Sequence, residues 1–501
     1  MSSSSSSEKN PGQTGESNKP TTPGCIDIFK SLFISQPAHS TCACSSSLED
    51  SQWHEKAPLT NNSNSNTDMS PPHVHPVSNE EMAEVLKKAQ IDPSAWSDDE
   101  YLRVISNAID AASTELRSLS LRIHEDPELA YHEFKAHGWL TEYLQGKGFT
   151  VERSAYGLET AFVASSGQSK SAGGLVTVGI CSEYDALPGI GHACGHNLIA
   201  ISGVAAALGL KAVIEKFHLK AEVKLFGTPA EETSGGKITM SANGAFKGVD
   251  VCMMLHGANA DVIYTPFLSL DTCEVEFFGK ASHASASPWE GVNALDAAMQ
   301  VYTNIAMMRQ QIKPNQRVHG IIVEGGKAAN IIPDYTKSVY TVRSPKWDEV
   351  VVLKKRVEAI FNGAAAATGC KVALKWGVPY KDIITNNPLA ESFIHYMGTM
   401  GLKYASKEEQ QSKLSGSTDF GNLSYEMPGI HPMFNILNLD GIDDRRMGLH
   451  STDFAGAASK PVAHIATMRA SKALARTGIE CIVRPEFLKQ VKEDFENQTH
   501  A

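Results

Sequence analysis

The chain has 501 residues, 42% of them hydrophobic and 20% charged, with a formal charge of −11. That length leaves room for about two to four domains with ordinary cores, and the acidic balance excludes a nucleic-acid partner, whose phosphates call for a basic face. Nine cysteines in no small disulfide framework point to a reducing, cytoplasmic setting.

In chain order, residues 1–80 are rich in Ser, Asn, Pro and Thr, and too poor in apolar side chains to offset ordering. They read as a disordered low-complexity tail without a secretory signal pattern. Inside it, residues 25–34 form a short amphipathic patch and Cys42 and Cys44 an isolated pair, neither assigned a function. From residue 95 the text is globular: Leu102, Ile105, Ile109, Leu119 and Ile123 recur at helical spacing, and a second helix runs towards Gly146 and Gly148.

Three strand candidates then share one property. Residues 175–180 run into Glu183 and Asp185, residues 221–227 into Glu231 and Glu232, and residues 249–255 into His256. The apolar segment 198–214 between the first two reads as a buried helix, and strand–helix–strand order implies parallel strands. At about 13 residues, its most apolar stretch, 198–210, is too short to span a membrane, so no membrane is expected. Open α/β sheets bind ligands beyond the carboxyl ends of their strands, where these polar side chains gather. Residues 268–380 read β-α-β-β-α-β, a ferredoxin-like α+β unit. The expected architecture is therefore α/β: a main body of residues 95–267 and 381–482 with a mainly parallel sheet, interrupted by an inserted α+β domain at 268–380 and followed by a tail at 483–501.

Within "HACGHN" (residues 192–197), the Cys-x-His pair Cys194 and His196 offers a thiolate and an imidazole, ligands that suit zinc and related metals. Adjacent Glu231 and Glu232 allow one carboxylate to coordinate while the other moves a proton. A solvated Glu-Glu turn is the commoner explanation of such a pair; the shared strand-end placement with Asp185 and His256 favours chemistry.

"EYDALPGIGHACGHN", "GTPAEE", "LHG", "GKASHAS", "GGKAANIIPD", "VRS", "GSTDFGN" and "LHSTDF" occur in that order between roughly residues 100 and 480. They resemble peptidase family M-twenty, the aminoacylase, carboxypeptidase G and amidohydrolase metallopeptidases. Within its amidohydrolase branch they are most similar to the group of Xaa-Arg and β-alanyl-lysine dipeptidases. The resemblance implies a metallopeptidase catalytic domain with an inserted dimerisation domain, binding two divalent ions, zinc or manganese. Cys194 would bridge them, with His196, Glu232, His256 and His450 as further ligands. Glu231 would be the general base and Asp185 would orient a ligand from behind. His283 would reach across a homodimer to the partner's oxyanion, and Asn330 and Arg343 would contact substrate, Arg343 through a carboxylate.

The chain departs from the branch pattern at Glu183, where Asp is common, and at Asn197, which here follows "CGH" and is expected to cap the buried helix. His192 is expected to support the loop, and Ser417 and Thr418 to shape the pocket. His124, His218, His319, His431 and His464 are expected to have no catalytic duty. The expected activity is metal-dependent hydrolysis of an amide in a dipeptide or N-acyl amino acid, such as a β-alanyl conjugate of a basic amino acid. The alternatives are hydrolysis of secondary-metabolite N-acyl conjugates, and a non-catalytic dimeric binding protein of the same fold.

Overall fold

The computed structural model describes residues 99–168, 175–412, 416–439 and 447–499. The N-terminal tail, with residues 25–34, Cys42 and Cys44, lies outside the described residues.

Asp99 opens α1 (Glu100–Glu125) by accepting a hydrogen bond from the Leu102 amide at 2.9 Å. Apolar spacing of three and four puts Leu102, Ile105, Ile109, Leu116, Leu119 and Ile123 on its buried face. Then come α2 (Phe134–Gly146), β1 (Thr150–Arg153), β2 (Phe162–Gly167) and β3 (Val176–Ser182). Next are α3 (His196–Lys216), β4 (Ala221–Gly227), α4 (Gly236–Ala242), β5 (Val251–Met253) and β6 (His256–Ala258). A second unit follows: β7 (Ser269–Phe278), α5 (Ala294–Met308), β8 (Arg317–Glu324), β9 (Tyr335–Ser344), α6 (Trp347–Thr368) and β10 (Lys371–Trp376). The chain closes with α7 (Asn387–Thr399), β11 (Gly429–Ile430), β12 (Met433–Asn435), α8 (Pro461–Val483) and α9 (Pro485–Thr499).

The main sheet has the order β1-β2-β4-β3-β5-β11. Its β4/β3, β3/β5 and β5/β11 pairs are parallel, and β1/β2 and β2/β4 antiparallel. The second unit is an antiparallel sheet of order β10-β7-β9-β8 with its own core, in which Phe277, Val301, Val342, Val357 and Phe361 are buried. Both agree with the α/β and ferredoxin-like expectations.

Helix α3 is buried without interruption from His196 to Leu210. It is long and apolar enough to cross a membrane by composition, yet 83% of its apolar window lies inside the protein, where it packs against α1 and α8. Its closeness to β3 depends on Gly203, where a methyl group would stand 2.2 Å from Ser182 Oγ. That approach holds the N-terminus of α3 beside the strand end.

The expected C-terminal tail is corrected by α9, which buries Phe487 and Val491, four residues apart, and is pinned to α7. The Asn386 side-chain amide donates to the Val491 carbonyl at 2.8 Å, and the Asn387 amide to Asp494 at 2.9 Å. Two apolar positions on a polar helix make a weak sequence signal, and their burial depends on α7.

Candidate metal centre

Three connections at the carboxyl end of the main sheet supply the site. After β3 the chain passes Glu183 and Asp185, then turns into α3 through Gly195, whose φ of 81° is a left-handed conformation that glycine adopts without strain. Gly195, not Asn197, occupies the cap position. The Asn197 side chain donates instead to Ser120 Oγ at 2.9 Å and the Ala458 carbonyl at 3.2 Å, tying the helix start to α1 and to the segment before α8. His192 is buried beside the His124 ring, and burial pulls its pKa down to about 3, so it stays neutral.

After β4 the turn is held from both sides. Thr228 N–H donates to the Ser182 carbonyl at 2.8 Å. Ala230 has a φ of 59°, and its N–H donates to buried Glu133 at 3.0 Å. The Tyr380 hydroxyl donates to the Glu231 carbonyl at 2.6 Å. Asp185 joins two of these segments, with Oδ1 3.1 Å from His196 Nδ1 and Oδ2 accepting the Glu232 N–H at 3.0 Å.

His256 starts β6. Its Nδ1 is paired with the Gly257 carbonyl at 2.7 Å, so Nε2 presents its lone pair towards Cys194 Sγ, 3.5 Å away. His450, the one exposed member, is positioned by its N–H on the Ala193 carbonyl at 2.9 Å and puts Nε2 3.5 Å from Glu232 Oε1. His196 Nε2 lies 3.6 Å from the same oxygen.

The donors of Cys194, His196 and His256 lie within 4.8 Å of one another, as do those of Cys194, Glu232 and His450. His196 Nε2 and Glu232 Oε1 are buried without a hydrogen-bond partner among the described residues. The separations from Glu232 Oε1 to His196 and His450, 3.6 and 3.5 Å, are too long for charge-assisted hydrogen bonds. They are close to the ~3.4 Å edge of a tetrahedron whose centre lies about 2.1 Å from each donor, the geometry of a transition-metal site.

Electrostatics agree. Glu183, Asp185, Glu231 and Asp419 are buried and Glu232 nearly so. Burial, then Glu183, Glu232 and Asp419, push the Glu231 pKa well above the carboxylate range. Burial raises the Asp185 pKa, but the adjacent His196 imidazole outweighs it and the net shift is downwards. Burial likewise holds the Cys194 thiol well above its ordinary value and pulls His256 down to about 4. Crowded carboxylates of this kind call for cations, and the S, N and O donor set suits divalent ions of the zinc class.

Sequence reasoning did not single out the buried cation behind this cluster. Lys237 Nζ lies 2.5 Å from Glu183 Oε1 and 2.7 Å from Asp419 Oδ1, with all three side chains fully buried. Lys237 follows a Gly-Gly pair, which carries no sign of burial, and Asp419 stood unnoticed within "GSTDFGN". Glu133 and Tyr380 were also missed, because each acts through a backbone group distant in sequence.

Cys194, Glu231, Glu232, His256 and His450 line a cavity of ≈ 450 Å³ together with Phe267, Leu270, Arg343, Tyr380, Ser417, Thr418 and Met433. Arg343 reaches it from β9, held by Ser417 Oγ at 3.1 Å and His319 Nε2 at 3.3 Å. Among the described residues no carboxylate pairs with it. His283 and Asn330 do not line this cavity. They adjoin each other in the second unit, where the Ala284 N–H donates to the Asn330 carbonyl at 3.0 Å and His283 is exposed.

Residues 269–368 match the peptidase dimerisation domain. The chain is 43% identical to the Xaa-Arg dipeptidase of Mus musculus and 40% identical to that of Homo sapiens. Each alignment covers 78% of this chain and 91% of the relative. A dinuclear metal-binding peptidase of family M-twenty from Bacillus subtilis shares the fold with a TM-score of 0.55 at 19% identity. That alignment covers 74% of this chain and 99% of the other.

Proposed function

Because the chain belongs to metallopeptidase family M-twenty, among the Xaa-Arg dipeptidases, we propose that it hydrolyses dipeptides ending in a basic residue, β-alanyl conjugates included, with Glu231 carrying the proton. The observation behind this reading is the convergence of Cys194, Glu232, His256 and His450 with buried Glu231 on one cavity whose wall holds Arg343, with no carboxylate partner among the described residues.

Cys194, His196, Glu232, His256 and His450 would hold two divalent cations, zinc or manganese, whose charge would acidify water and polarise the scissile carbonyl. The remaining work falls to the chain. Glu231 takes the proton of the attacking water on its carboxylate and passes it to the leaving nitrogen. Asp185 keeps His196 and the Glu232 backbone in register. Arg343, preset by Ser417 and His319, receives the substrate carboxylate.

A panel of Xaa-Arg, Xaa-Lys and β-alanyl dipeptides, set beside N-acyl amino acids without a basic residue, tests the substrate class on metal-loaded protein. Preferential cleavage of the basic dipeptides is expected. Turnover confined to the acyl conjugates would overturn the assignment in favour of a different amidohydrolase.

His283 acts in the partner's site in this proposal. Its Nδ1 accepts from the Ser285 and Ala286 amides at 3.3 and 3.2 Å, so the neutral ring carries its proton on Nε2, a donor free to meet an oxyanion. Edge strand β8 exposes Ile321 and Val323, an edge that a second copy can cover. Mixing inactive Glu231→Gln chains with inactive His283→Ala chains is expected to restore activity, since hybrid dimers contain one site with neither lesion. Mixed chains that exchange subunits yet remain inactive would place His283 outside the partner's site.

Cation uptake is expected to release protons near neutral pH. In the metal-free protein burial keeps Cys194 a thiol; for His196 burial opposes the charge, the Asp185 carboxylate favours it, and the net shift is upwards. Both must lose a proton to coordinate, so affinity rises with pH. Calorimetric titration in two buffers of different ionisation enthalpy reads the release directly; identical heats in both would contradict it.

A further inference from the structure

Glu183 marks the chain's departure from the Asp-x-Asp-Ala-Leu-Pro pattern. We propose that it is a sixth donor to the metal centre, binding a cation through Oε2 beside His196 while Lys237 holds Oε1. The inference rests on the metal-centre reading above and extends it to a residue outside that ligand set.

Glu183 and Asp185 stand two apart in chain just beyond β3, and they address opposite edges of one imidazole. Asp185 Oδ1 is 3.1 Å from His196 Nδ1, and Glu183 Oε2 is 3.5 Å from His196 Nε2. The first distance is a hydrogen bond. The second is too long for a charge-assisted one, and Glu183 Oε2 is buried with no hydrogen-bond partner among the described residues. It matches the 3.6 Å between His196 Nε2 and Glu232 Oε1, the spacing of donors that share a cation. The donors of Glu183, His196 and Glu231 also lie within 4.8 Å of one another.

The second oxygen explains why Glu183 would bind through one atom only. Lys237 Nζ takes Oε1 at 2.5 Å and is itself held by Asp419 Oδ1 at 2.7 Å, and the Lys237 N–H donates to Asp419 Oδ2 at 2.9 Å. The carboxylate is thus fixed in orientation, with its free oxygen aimed at His196. His196 is shared between the Cys194–His256 donor group and the Glu183–Glu231 group, so Glu183 adds a carboxylate oxygen beside sulfur and nitrogen donors. Carboxylate oxygens favour manganese, and thiolate and imidazole favour zinc.

The experiment measures stoichiometry and affinity for Mn²⁺ and for Zn²⁺, each alone, by competition with a chromophoric chelator. Native protein, Glu183→Gln and Asp419→Asn are compared. Asp419→Asn removes a carboxylate from the same lysine but leaves Glu183 Oε2 in place, so it reports the cost of disturbing the buried charges alone. Glu183→Gln is expected to weaken one of two cation sites by at least about tenfold, with Mn²⁺ affected more than Zn²⁺, while Asp419→Asn binds both within about threefold of native. Should Glu183→Gln fail to fold, Glu183→Asp keeps the charge beside Lys237 and withdraws the oxygen from His196; the same selective loss is expected. Native affinity at both sites in the Glu183 variants, or an equal loss in Asp419→Asn, would overturn the inference. Native protein that binds neither cation would instead remove the metal-centre reading on which the inference stands.

Discussion

Replacing Glu231 by Gln is expected to lower kcat by about 10²–10⁴-fold with cation content unchanged and folding stability undiminished. The side chains have nearly the same shape, so the packing beneath Tyr380 and the hydrogen bond from its hydroxyl to the Glu231 carbonyl survive. What disappears is the capacity to take a proton from water and return it to the leaving nitrogen. Stability should hold because burial and the neighbouring Glu183, Glu232 and Asp419 disfavour the ionised form of Glu231. Gln mimics the neutral form that the metal-free pocket prefers, so the unfolding midpoint of stripped protein is expected to stay level or rise. Steady-state kinetics at saturating cation, elemental analysis and denaturant unfolding together separate a proton carrier from a structural carboxylate. A Glu231→Gln enzyme with native kcat would remove Glu231 from the mechanism. One that lost its cations along with its activity would make it a ligand instead.

Replacing Lys237 by Met is expected to destabilise the metal-stripped protein by about 3–5 kcal/mol, the cost of breaking a buried ion pair by removing one partner. Lys237, Glu183 and Asp419 are all fully buried, and Lys237 is the only lysine or arginine paired with those two acids among the described residues. Met keeps the length and the apolar stem but leaves two carboxylates facing each other out of water. The double variant Lys237→Met, Asp419→Asn is expected to recover part of the loss, because it removes one of the stranded charges. Urea unfolding of the four proteins in the cycle gives the coupling directly. A Lys237→Met midpoint within error of native would mean that the cluster does not hold the two acids in charged form.

The element order was legible because it is written in local patterns. Helical spacing marked α1, alternation marked the strands, and a strand–helix–strand run implied the parallel β3–α3–β4 unit that the structure contains. The β-α-β-β-α-β order likewise produced the four-stranded sheet in the expected arrangement. Sequence missed where a side chain's fate depends on a remote partner. Asn197 looked like a helix cap from its neighbours, yet Gly195 takes that place and Asn197 is drawn to Ser120 and Ala458. The last residues looked like a tail until α7 provided a surface for Phe487 and Val491.

The amino-acid sequence by itself determined which chemical groups stand just past the strand ends: the acids 183 and 185, the pair 231 and 232, and His256. Strand period and strand termination are local, and they place those groups whatever else the chain does. Only the tertiary structure decided how the groups divide their labour. It set Asp185 against one side of His196 and Glu183 against the other, joined Lys237 to Glu183 and to Asp419 across spans of 54 and 182 residues, and left Arg343 facing the cavity with no carboxylate paired to it among the described residues. Charge, burial and donor spacing at a site are sums over every segment that packs there, and no single stretch of sequence records that sum.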